Sequence, residues 1–176
     1  MVRWFKIIKN QYFGFWIIGL LLFIIQEIPY MLMPLLHLET NPIMNLPTNS
    51  LFLDVCEKIL GVLCVVFMVL IVNHDTKFFS VNSKFEIASF SVAVGMIVFN
   101  FIDWVLYFCG LQSAAIMIVF LFALPPLYYL LIGLWRKNYF LVSAGALFFV
   151  VHLTNACINL YVELHLLCRR ETVQKK

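Results

Sequence analysis

Four side chains that rarely sit in lipid recur along the last apolar stretch of the chain: His152, Asn155, Asn159 and Glu163. Steps of three, four and four residues at about 100° each hold them within an arc of roughly 80° on one helix face. An imidazole, two amides and a carboxylate on one face can bind a polar or cationic molecule, exchange a proton or hydrogen-bond to a neighbouring helix. In hydrocarbon each of them needs a partner or a water-filled cavity, so other segments must supply the opposite wall. Two such walls are legible. Asn100, Asp103 and Tyr107 recur at steps of three and four, and Gln26, Glu27 and Tyr30 lie beside Pro29.

The remaining composition says what must hold these groups. The chain is 64% hydrophobic and 12% charged, against roughly half and a quarter for soluble domains, so the expected class is an all-α integral membrane protein. We expect one polytopic domain, residues 1–176, with five spans near 12–36, 51–72, 85–109, 113–135 and 139–163. Each is about long enough at 1.5 Å per residue to cross a core of about 30 Å. Before them, Arg3, Lys6 and Lys9 alternate with bulky apolar residues, which predicts a basic flank or a short amphipathic piece in the headgroup layer. No small-residue cleavage site follows, so the first span is expected to be retained.

Residues 37–50, with Pro42 and Pro47, predict a surface loop. Asn49 or Ser50 is expected to cap the second span, and Asp54 to pair with Lys58 one turn on, leaving Glu57 without a sequence-local cation. Ser89/Ala93 and Ser91/Gly95 are small-residue pairs suited to close helix packing. Pro125-Pro126 predicts a kink in the fourth span that frees the carbonyls of Leu121 and Phe122. Trp4 and Trp135 are placed as interface anchors, the latter with Arg136 and Lys137.

Charge sets the orientation. With a cytoplasmic amino terminus, Arg3, Lys6, Lys9, Lys77, Lys84, Arg136 and Lys137 all fall inside, the pattern of a multi-pass protein of the cell membrane. The basic carboxyl tail, Arg169 to Lys176, then lies outside, against the rule. The 12 Lys and Arg are spread in short runs at span ends, which argues for topology and against nucleic-acid binding. The five cysteines form no C-x-x-C pair and are expected to be small apolar fillers, not disulfides or zinc ligands.

This orientation brings Glu27, Glu57, Asp103, His152, Asn155, Asn159 and Glu163 to similar depth in the outer half of the bundle. The expected pocket is rich in carboxylates and suits a small cationic or polar ligand, with Asn100 beside it and Trp104 and Tyr107 offering ring faces. No metal-ligand spacing such as H-E-x-x-H appears, so a metal site would have to draw His152, Asp103 and a glutamate from separate helices; no nucleophile motif accompanies His152, and the residues identify no cofactor. The competing functions are a membrane enzyme acting on lipid, through His152 with Asp103 or Glu163, and a partner of another membrane protein or of a second copy. The structural alternative assigns Gln26, Asn155 and Asn159 to interhelical hydrogen bonds of about 0.6–2 kcal/mol each.

Overall fold

The amino-terminal basic segment folds as a strand. β1 (Val2–Ile8) pairs antiparallel with β2 (Gln11–Phe15), and β2 pairs antiparallel with β3 (Ile71–Asn73), giving a sheet of order β1-β2-β3. The expectation of an amphipathic piece or a bare flank is corrected here, and the reason lies in two irregularities of register. Between Arg3 and Phe5, and again between Lys6 and Ile8, one residue of β1 has no partner in the ladder. Each such bulge converts a step of three into a step of two. Arg3 and Lys6 thus stand opposite Gly14 and Tyr12, on one face, although their spacing hides any strand alternation. Gly14 is required by the close approach: a Cβ there would stand 2.1 Å from the Val2 carbonyl oxygen.

The computed structural model describes the backbone of residues 2–36, 38, 41–44, 46–79 and 81–174, with side chains described among these except at 114 and 161–174. The chain is mostly helical, 70%, and among the described residues four helical stretches are long and apolar enough to cross a membrane: Ile17–Leu35, Lys84–Phe108, Met117–Trp135 and Tyr139–Leu160. α1 (Ile17–Leu32) ends in a 3-10 turn, Met33–Leu35. The first helix therefore starts later than expected, because Gln11–Phe15 belongs to the sheet. α2 (Leu51–Leu70) starts at Ser50, whose Oγ accepts from the Leu53 N–H at 3.4 Å, and Lys58 Nζ lies 2.8 Å from Asp54 Oδ2, both as the spacing predicts. α3 (Lys84–Phe108) is capped by Ser83.

The fourth stretch is not one α-helix with a central kink. A single turn, α4 (Ala114–Ile116), leads into π-helical Met117–Ala123, and α5 (Leu124–Trp135) then starts with Pro125-Pro126 in its first turn. In π register the missing donors of Pro125 and Pro126 orphan the carbonyls five residues back, Phe120 and Leu121, one position earlier than an α register predicts. Those are the two that side chains serve: Asn100 Nδ2 donates to Phe120 O at 3.0 Å, and Tyr30 OH to Leu121 O at 3.3 Å.

α6 (Tyr139–Gln174) packs against α2 and α5, and α5 also against α3, whereas α1 touches α2 and only sparingly α3. Gly133 and Gly145 set the α5–α6 approach, since a Cβ at either would stand 2.9 Å from backbone nitrogen of the opposite helix. This glycine seam was not singled out from the sequence. Of the two small-residue pairs that were, Ser89/Ala93 is buried in the core, while Ser91 is exposed and a Cβ on Gly95 would meet nothing. The core has two halves, one around Met68, Tyr128, Ile132 and Trp135, the other around Trp104, Tyr107, Leu121 and Leu160. Cys64 is buried, Cys56 and Cys157 half-buried and Cys109 exposed, all four as free thiols. Cys168 lies outside the described side chains.

Candidate functional site

The sheet end of the bundle is stitched by buried polar groups. Asn138 accepts from the Leu141 N–H at 3.1 Å, capping α6, while its Nδ2 donates to the carbonyls of Phe67 and Ile71 at 2.8 and 3.0 Å. Gln11 Nε2 and Asn73 Nδ2 both donate to Lys137 O, at 2.8 and 2.9 Å. Lys137 Nζ lies 2.8 Å from Glu86 Oε1, a carboxylate almost wholly buried, and this hydrogen bond holds the ammonium above its usual pKa. Arg136 donates to Thr76 Oγ1 at 2.9 Å, and its guanidinium stands 4.5 Å from the Trp16 ring centre; burial pulls its pKa down to about 10. The expected anchor at Trp135 is thus corrected: Trp135 is 1% exposed, against Trp16, Phe79 and Phe90, and Arg136 is buried beside it, whereas Trp4 is exposed. This end is a structural joint whose polar side chains serve one another.

The opposite half differs. Glu57, lacking a cation in its own helix, faces α6: Asn155 Nδ2 donates to Glu57 Oε2, and His152 Nδ1 stands 3.0 Å from Glu57 Oε1, within ion-pair range but out of line for a hydrogen bond. Asn159 Nδ2 donates to Asn155 Oδ1 at 3.3 Å, and Asn159 Oδ1 accepts from the backbone and side chain of Asn49 at 3.2 and 3.1 Å. The stripe on α6 and the start of α2 therefore form one network, from His152 to the loop before α2. Glu163 lies outside the described side chains.

Next to this network is a cavity of about 280 Å³, bounded by α1, α2, α5 and α6. Phe23, Tyr30, Tyr129 and Phe148 supply rings, Val62 and Val65 aliphatic wall, and Gln26, Glu27 and His152 polar groups. Gly61 and Pro125 leave room. Glu27 is half-buried and makes no hydrogen bond or ion pair with any described residue, and Gln26, almost wholly buried, has no donor for its Oε1. His152 packs its ring 5.0 Å from Phe148 and 5.7 Å from Phe122. A concave, mainly apolar site with a few polar groups is the usual form of a small-molecule pocket.

Four of the expected site residues lie elsewhere. Asp103, 3% exposed, has no partner for Oδ2 and lines a separate pocket of about 120 Å³ with Phe99, Ile102, Leu106, Ile116 and Phe120. Asn100 serves the Phe120 carbonyl. Trp104 stacks edge-on against Tyr30 at 4.8 Å within the second core cluster. Tyr107 OH donates to Asn41 Oδ1 at 2.8 Å and accepts from the Ile43 N–H at 3.2 Å, tying the loop after α1 to α3. None of the four lines the cavity. Sequence reasoning passed over Tyr129 and Phe148; the signal for Tyr129 was its place one turn after Pro125, on the same face. Among the described residues no group of three or more His, Cys, Asp or Glu side chains is arranged to hold a metal ion.

Compared with known proteins, the chain matches no family model, no curated protein and no solved structure.

Proposed function

We propose that this is a multi-pass membrane protein that binds a small, partly apolar cation in the cavity beside Glu27. The observation that carries the reading is a carboxylate without a partner among the described residues, on a wall that also offers four aromatic rings. A ring face and a carboxylate attract the same ligand, an amine or quaternary cation with apolar substituents. Glu57 is turned toward His152 and Asn155 and so acts as the support behind the wall. The light packing of α1, which carries Phe23, Gln26, Glu27 and Tyr30, supports a carrier role in which that helix moves to admit and release ligand.

In this reading α2 is a fifth crossing: its 20 residues reach about 30 Å and it runs antiparallel to α6. The amino terminus and the sheet are cytoplasmic and the membrane is the cell membrane, supported by Arg3, Lys6, Lys9, Lys77, Lys84, Arg136 and Lys137 at the sheet end.

Tetraphenylphosphonium, a lipophilic cation, is the probe for purified protein in neutral detergent. Wild type binds it, Glu27→Gln weakens binding roughly tenfold or more through loss of the attraction between carboxylate and cation, and Asp103→Asn leaves it unchanged. Equal affinity of wild type and Glu27→Gln overturns the reading. Flux of the same probe into liposomes then distinguishes a carrier from a receptor.

A further inference from the structure

A second and larger cavity, about 450 Å³, lies between α2 and α6 at the sheet end, away from Glu27. Its long wall runs from Leu60 to Phe67, about 10 Å of helix at 1.5 Å per residue, with Leu147 opposite and the small side chain of Ala144 between. That length suits an acyl chain within one leaflet, half of a core of about 30 Å. At the sheet end the apolar lining gives way to Lys9 and Gln11, which also border the cavity. Lys9 sits at the hairpin turn with φ 46°, a left-handed conformation that brings it to the groove. Gln11 is fully buried, with Nε2 committed to Lys137 O and no donor for Oε1.

The geometry points to a binding site for one acidic phospholipid of the leaflet that surrounds the sheet. Its acyl chain lies along Leu60 to Phe67 over Ala144, and its phosphate meets the Lys9 ammonium. Charge complementarity selects this occupant over a neutral lipid, since a lone ammonium beside an apolar groove is matched by a phosphate with net negative charge.

The test is native mass spectrometry of the full chain in neutral detergent, titrated with phosphatidylglycerol, phosphatidylethanolamine or phosphatidylcholine of equal chain length. Phosphatidylglycerol is expected to bind roughly fivefold more tightly than the other two. Lys9→Asn removes the charge and keeps a residue that tolerates left-handed backbone, so the hairpin persists. It should bring the three lipids to parity. Lys6→Asn, a charge on the same hairpin that does not border the cavity, should retain the preference, as should Glu27→Gln. Equal binding of the three lipids to wild type, or an equal loss of preference in Lys6→Asn and Lys9→Asn, overturns the assignment.

Discussion

Asn138 does three jobs with one amide, and two substitutions separate them. Asn138→Ala removes the α6 cap, strands the Ile71 carbonyl and leaves the Phe67 carbonyl with only the Ile71 N–H, which predicts a loss of about 2–4 kcal/mol. Asn138→Asp keeps an oxygen for the Leu141 N–H and adds charge beside two carbonyls, so it should fold no better than Asn138→Ala. Thermal unfolding in one detergent checks both; an Asp variant close to wild type means the cap alone matters. At the same scale, the stripe of His152, Asn155 and Asn159 was legible because helix periodicity is fixed and polar groups in lipid must face something. That they face Glu57 was not, since Glu57 and His152 belong to different helices and only packing joins them. Asp103 shows the limit from the other side. It shares a face with Asn100, yet Asn100 turns to a backbone carbonyl and Asp103 to a small apolar pocket.

Among the elements, the π-helical stretch is held open by its neighbours. Asn100→Leu leaves the Phe120 carbonyl without its donor in a buried setting, and a loss of about 1–3 kcal/mol is expected. Hydrogen exchange in Met117–Ala123 should rise with it; unchanged exchange there means the widened turn is set by the prolines alone. The proline pair announced a break, and the register of that break decided which carbonyls were freed. The amino-terminal hairpin was illegible for a comparable reason. The first of its two bulges gives Arg3 and Lys6 a common face at a spacing of three, where a regular strand needs two. The Ser50 cap and the Asp54–Lys58 pair depend only on residues a turn apart, and local geometry was enough to find them.

For the whole molecule, hydropathy located the long helices but not which tryptophans they bury. Trp135 ends an apolar run and is followed by two cations, the pattern of an interface anchor, yet Trp16, Phe79 and Phe90 cover it. The proposed five-crossing arrangement makes a prediction at this scale. In a chain cleared of native cysteines, single cysteines at Lys77 and at Met44 should react with an impermeant maleimide from opposite sides of the membrane, Met44 from outside. Labelling of both from one side removes α2 as a crossing.

The sheet also dictates an order of events during synthesis. β2 is made before α1, but its second partner, β3, follows α2, and the Lys137 carbonyl that Gln11 and Asn73 share comes after α3, α4 and α5. A nascent chain halted before Ile71 therefore carries a hairpin with an open edge. Once β3 closes it, α1 and α2 form a looped unit with a finished corner, onto which the turn between α5 and α6 docks last.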